Sequence, residues 1–125
     1  SGLGMAHGVA AALGVECGTP HGLACATLLP VAVRVNLAAA ERDFAALERA
    51  VAVDASRDDR EAAAAFAARI EALCDRVAVP RRLRDLGLAR DRLGWLAENS
   101  GGTSMRGNPV ELDPAGLLPI LEAAF

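Results

Sequence analysis

From Ser1 to Ala40 the sequence carries only two charged side chains, Glu16 and Arg34, whereas charges recur on periodic faces from Glu41 onward. A helix that is small or apolar all round cannot face water on any side, so it belongs in an interior. The segments Leu3–Gly14 and His21–Asn36 therefore predict two central helices that need cover from several directions. The charged helices that follow can provide part of that cover, as in small bundles. A second domain or a partner subunit is the natural source of the rest. The chain opens on Ser1 without an initiator Met and runs at once into apolar sequence, which gives the expectation of a domain taken from a longer protein.

Ala, Leu, Arg and Glu dominate while aromatic residues make up 3%, a composition that favours helix nearly everywhere. The expected fold class is all-α, an irregular helical bundle of about six or seven helices in one domain spanning residues 1–125. Helix 1 is expected to end near Gly14. The turn Glu16-Cys17-Gly18-Thr19-Pro20 leads into helix 2 from about His21 to Asn36, bent at Pro30. Helix 3 covers roughly Ala38 to Val51, with Phe44, Leu47 and Val51 on one face. Helix 4 is expected to be capped by Ser56 with Asp59, and to bury a stripe of Phe66, Ile70, Leu73 and Val77. A short helix opens at Pro80 and closes at Gly87, another runs through Leu93 and Leu96 toward Gly101, and a long loop follows. Asp113 and Pro114 start the last helix, with a kink or break expected at Pro119.

A net charge of −3 with a pI near 5.3 argues against nucleic-acid and anionic-lipid partners. No stretch is long enough to cross a bilayer without Gly, Pro, His or a charge interrupting it. Cys17, Cys25 and Cys74 are an odd set without a secretory signal, and read as reduced thiols of a cytoplasmic protein. Arg81, Arg82 and Arg84 read as a solvated helix start. The loop from Ser100 to Leu112 reads equally as the lining of an active-site mouth or an interface and as a mobile surface connection, and Trp95 as core.

Both histidines, His7 and His21, lie in the uncharged region, one within helix 1 and one at the head of helix 2. Spacing alone favours neutral core imidazoles bonded to carbonyls over metal ligands fourteen residues apart. The surrounding sequence shifts that balance. The run Gly2-Leu3-Gly4-Met5-Ala6-His7, then Leu13-Gly14, Pro20-His21-Gly22-Leu23-Ala24, Leu28-Leu29-Pro30 and Asn36 resembles the signature of iron-containing alcohol dehydrogenases. Looser similarity continues through Val79-Pro80, Leu86-Gly87 and Asn108-Pro109 to the terminal helix.

The resemblance implies the helical C-terminal half of a two-domain oxidoreductase. In that family Fe2+ or Zn2+ sits between this half and an N-terminal nucleotide-binding domain, held by one Asp and three His. By motif, His7 and His21 are two of those metal ligands, and the other two lie upstream of Ser1. NAD or NADP would be bound mainly by the N-terminal domain, since no glycine-rich phosphate loop follows a strand here. Neither a catalytic residue nor a cofactor-binding residue is assigned within the chain, and the chain alone is expected to be inactive. The implied partners are that domain, a small alcohol or carbonyl substrate and further copies in a homo-oligomer. Maleylacetate reductase and polyol dehydrogenase activities are variants within the family.

Two positions depart from the pattern. Most members carry a second histidine four residues after the first, where this chain has Ala11, and many carry Asn where it has Cys25. Cys25 is one helical turn beyond His21, a spacing that suits either a soft metal ligand or, more commonly, a small buried thiol. The competing functional reading is a non-catalytic helical interaction module whose histidines are structural.

Overall fold

A computed structural model describes residues 4–53 and 58–125. Among them the elements are seven α-helices: α1 (Met5–Cys17), α2 (His21–Asn36), α3 (Glu41–Val51), α4 (Asp59–Arg76), α5 (Leu93–Asn99), α6 (Thr103–Arg106) and α7 (Pro114–Ala123). Two 3-10 turns, Leu83–Leu86 and Arg90–Arg92, link α4 to α5, and no strand occurs among the described residues. The all-α class is thus as expected.

α1 runs one turn past its expected end. Gly14 stays inside it, and Gly18, at φ 66°, is the residue that turns the chain out, its N–H bonded to the Gly14 carbonyl at 3.1 Å. α2 begins and ends where the sequence places it and continues as one helix through the buried Pro30. Proline removes the donor that would bond the carbonyl four residues back. That carbonyl, of Ala26, faces the Cys74 thiol of α4 at 4.0 Å.

The core gathers Met5, Val9 and Leu13 of α1, Leu28 of α2, Leu83, Leu96 of α5, and Leu117 and Leu121 of α7, all fully buried. Burying each of the larger of these side chains is worth about 1.5–3 kcal/mol relative to exposure. α7 starts at Pro114 with Asp113 as its cap, the carboxylate accepting from Gly116 N at 2.7 Å. It runs unbroken through Pro119, so of the expected kink or short break the break is absent. Pro80 does not open a helix. The 3-10 turn begins at Leu83, whose N–H donates to the Ala124 carbonyl beyond α7, and Gly87 closes it at φ 92°.

α3 and α4 pair as a hairpin that lies partly against α2. The expected stripes hold only in part, since Phe44, Phe66 and Ile70 are half-buried while the other stripe positions are exposed. The buried positions are Ala45 and Glu48 on α3, and Ala62, Ala63, Ala67 and Cys74 on α4. Leu47, Val51, Leu73 and Val77 are exposed, while Phe44 and Phe66 stack half-buried at 5.6 Å. Small side chains let the two helix backbones approach, and the longer apolar residues are left on the outer flanks. The Ser56 cap lies outside the described residues; Asp58 caps α4 by accepting from Glu61 N at 2.8 Å.

The Ser100–Leu112 segment is not a loose connection. Its buried Asn108 pairs amide to amide with Asn36 at the end of α2, both bonds 2.8 Å, and its Oδ1 also accepts from Met5 N at 3.1 Å. Val110 adds a bond to Asn36 Oδ1 at 3.2 Å and accepts from Asn108 Nδ2 at 2.8 Å, and Gly4 N donates to Ser104 O at 2.9 Å. α1 has no side-chain cap of its own, so the first N–H of the helix is satisfied from across the chain. Behind it, Gly8 packs so closely that a Cβ there would stand 2.7 Å from the Ser100 carbonyl oxygen.

Charged pairs tie the helices at the surface. Arg92 grips Glu16 of α1 through two bonds of 2.6 and 3.0 Å, and Arg34 of α2 grips Glu71 of α4 at 2.7 and 3.1 Å. The guanidinium hydrogen bond is the main reason both carboxyls titrate below their ordinary value of 4.5. Arg92 also lies 5.0 Å from the centre of the half-buried Trp95, which packs at the edge of the core.

Asn108→Ala strips partners from the buried Asn36 amide and from Met5 N, and is expected to cost about 1–3 kcal/mol per group left unsatisfied. Thermal and urea unfolding measure it, and Asn36→Ala in the same background should cost far less than it does alone. Gly8→Ala should destabilise by about 1–3 kcal/mol through overpacking, while Gly22→Ala, with nothing within 4 Å, should not destabilise. Because Glu16 and Glu71 have depressed folded pKa values, their contribution is complete above pH 4.5 and is lost as pH falls through the lower folded values. The unfolding temperature should therefore drop below that pH, and Glu16→Gln with Glu71→Gln should flatten the drop.

Candidate metal centre

His7 sits in the first turn of α1, and His21 is the first residue of α2. The left-handed Gly18 and the extended Pro20 between them send the chain back so that the two helix starts meet. His7 Nδ1 lies 3.2 Å from His21 Nε2, with ring centroids 5.1 Å apart and planes tilted by 51°. One turn along α2, Cys25 Sγ lies 3.4 Å from the same His21 Nε2. The three donor atoms all fall within 4.8 Å of one another.

The environment is open on one side. His21 is exposed, and His7 and Cys25 are half-buried. Burial pushes the Cys25 thiol above its ordinary range, and Cys17 is raised by burial and then by the Glu16 charge. All three cysteines are free. Ala11, one turn beyond His7 and on the same side of α1, is exposed and offers only a methyl group.

The spacing of the donor atoms suits a cation. Zinc–nitrogen bonds of about 2.0–2.1 Å in a tetrahedral arrangement place two nitrogens about 3.3–3.4 Å apart. The His7–His21 separation of 3.2 Å is close to one edge of such a polyhedron. Two neutral imidazoles can also share a proton at this distance, but a ring as exposed as His21 fills no core. The residues fit a divalent metal. Sequence reasoning located both histidines; that the thiol reaches the same point was open, because helical spacing alone does not say which side of Cys25 meets His21.

Arg81 and Arg82 lie elsewhere. Arg81 is paired with Asp75 at 2.7 Å, and Arg82 donates to the Ala123 carbonyl at 3.1 Å. With Arg34, Glu71, Val31 and Ile120 they border a cleft of about 610 Å³ that does not include the histidines. No helix among the described residues is long and apolar enough to cross a membrane.

Residues 1–125 match the family described as "Fe-containing alcohol dehydrogenase family, C-terminal". Lactaldehyde reductase of Escherichia coli K12 is 31% identical over 126 residues, covering 99% of this chain and 33% of the relative. The 1,3-propanediol dehydrogenase of Klebsiella pneumoniae is 32% identical over 117 residues, 88% of this chain and 30% of that protein. The crystal structure of a 1,3-propanediol oxidoreductase superposes with a TM-score of 0.89 at 30% identity, over 98% of this chain and 32% of that one. An alcohol dehydrogenase from Oenococcus oeni gives 0.86 at 30% identity, again over 98% and 32%. The chain spans about a third of the length of these relatives. Its helices and its whole-length match place it in the iron-containing alcohol dehydrogenase family, of which it is the C-terminal, all-helical region.

Proposed function

We propose that residues 1–125 form one helical domain contributing half of a metal site to a two-domain NAD- or NADP-linked alcohol dehydrogenase or aldehyde reductase. His7 and His21 supply two ligands to Fe2+ or Zn2+, and an N-terminal nucleotide-binding domain supplies the rest together with the nicotinamide pocket. The observation that carries this reading is the 3.2 Å approach of two ring nitrogens from separate helices at an exposed surface. When bound, the cation supplies Lewis acidity, which makes an alcohol easier to deprotonate or a carbonyl easier to reduce by hydride.

The chain's own residues do the holding. The clamped start of α1 and the tight Gly18–Pro20 turn fix the two imidazoles in one relative orientation, so the donor pair is preorganised. The exposed flank of His21 leaves room for a small alcohol or carbonyl, in line with the short diols and hydroxyaldehydes in the relatives' names. Ala11 offers no titratable group, so it takes no part in carrying away a proton released from substrate. The free thiols suit a cytoplasmic setting, and a homo-oligomer is the proposed assembly.

In the two-domain protein, His7→Ala and His21→Ala should each weaken metal binding on the order of 100-fold. Metal content after gel filtration and nicotinamide absorbance with short alcohols are the readouts. The 125-residue chain alone should show no nicotinamide-linked turnover. Undiminished metal in both histidine variants would refute the assignment.

A further inference from the structure

We infer that Cys25 is a third metal ligand, so that this chain presents a His2Cys face that favours Zn2+ over Fe2+. The inference rests on the histidine assignment above and adds a donor to it. His21 Nε2 stands 3.2 Å from His7 Nδ1 and 3.4 Å from Cys25 Sγ, and the third side of the triangle is no longer than 4.8 Å. With a zinc–sulfur bond of about 2.3 Å, a tetrahedral nitrogen–sulfur edge is about 3.5 Å. Two sides of the triangle are thus already close to coordination length. The third closes by swinging the Cys25 or His7 side chain, with no backbone change demanded.

Three donors from this chain leave the remaining coordination positions to the N-terminal domain and to substrate, a shell that zinc can expand to five-coordinate. Cys25 and His21 are one turn apart on one helix, which gives the pair a fixed bite, and His7 meets them from α1. On binding, the thiol gives its proton to solvent as the sulfur–metal bond forms, and no electrons are transferred. A soft thiolate biases the site toward thiophilic ions, and zinc also stands above ferrous iron in intrinsic affinity. The other two thiols are kept apart: Cys74 is buried against the Ala26 carbonyl, and Cys17 lies at the far end of α1 from His7.

The test is titration of the 125-residue chain with Co2+ alone, read by visible and near-ultraviolet absorption, followed by displacement with Zn2+. A thiolate-to-cobalt charge-transfer band should appear, persist in Cys17→Ser and Cys74→Ser, and vanish in Cys25→Ser and Cys25→Ala. Zinc affinity from the displacement should fall on the order of 100-fold in Cys25→Ala, with helix content by circular dichroism unchanged. Cobalt d–d bands without a charge-transfer band, or a band indifferent to Cys25, would overturn the thiolate ligand while leaving the histidines in place. Binding that survives His7→Ala and His21→Ala would instead overturn the histidine assignment on which it stands, and absence of any cobalt binding would overturn the three-donor site.

Discussion

Asn36 and Asn108 meet amide to amide in the interior, and the order of the helix starts depends on that pair. Asn108 Oδ1 takes both Asn36 Nδ2 and the Met5 N–H, so one oxygen joins the end of α2 to the beginning of α1. An uncapped helix start frays within its first turn, and His7 lies in that turn. The same pair anchors Val110, and a neighbouring bond from Gly4 reaches Ser104. Buried polar groups are costly unless every donor and acceptor is matched, and here the matching itself specifies one arrangement. The consequence reaches the site: a shift in α1 moves His7 relative to His21, and a donor pair is useful to a cation only within a few tenths of an ångström.

The α3–α4 hairpin follows a different rule. Most of its buried residues are alanines, which lose no rotamer freedom on burial and allow close backbone approach, beside the Phe44–Phe66 stack. Little apolar area per residue is buried in such an interface, so ionic contacts gain weight. Glu48 is 4% exposed and is gripped by Arg69 through two bonds of 2.9 and 3.0 Å, with Arg49–Asp59 at 2.8 Å nearer the turn. A buried carboxylate is tolerable when both oxygens are engaged by a planar guanidinium. Leu47, Val51, Leu73 and Val77 remain on the outside as the counterpart of that choice.

What the sequence reveals divides along the range of the interactions involved. Asp113 and Pro114 announce a helix start because the cap and the helix are neighbours, and the structure has them so. The all-α class and both histidines are legible for a similar reason, the latter because their flanking residues form a long local pattern. The Asn36–Asn108 pair joins residues 72 apart and Asn108 reaches Met5 across 103, and nothing in the local sequence around either asparagine says that they meet. α4 was misread in part, for another reason. Phe66, Ile70, Leu73 and Val77 make a stripe by hydrophobicity, yet only Phe66 and Ile70 are half-buried, because the helix turns its alanines inward where closeness matters more than side-chain bulk. The end of α1 moved because a left-handed cap needs the residue that the next turn selects, and Gly18 beside Pro20 was better placed than Gly14.

The two helices poorest in charge, with Glu16 on α1 and Arg34 on α2 alone, are only partly covered by the rest of the described chain. α1 buries Met5, Gly8, Val9, Ala10, Ala12 and Leu13, yet Val15 is 79% exposed, and α2 leaves Leu23 and Leu29 open. Val15 follows His7 and Ala11 at helical spacing on α1, and Leu29 follows His21 and Cys25 on α2. The donor atoms thus sit on a surface that is apolar rather than solvating. Water competes poorly for a cation bordered by methyl groups, and each metal–ligand bond strengthens as the local dielectric falls. A surface of this character is best covered by another protein face, which is what the proposed sharing of a metal site between two domains would provide.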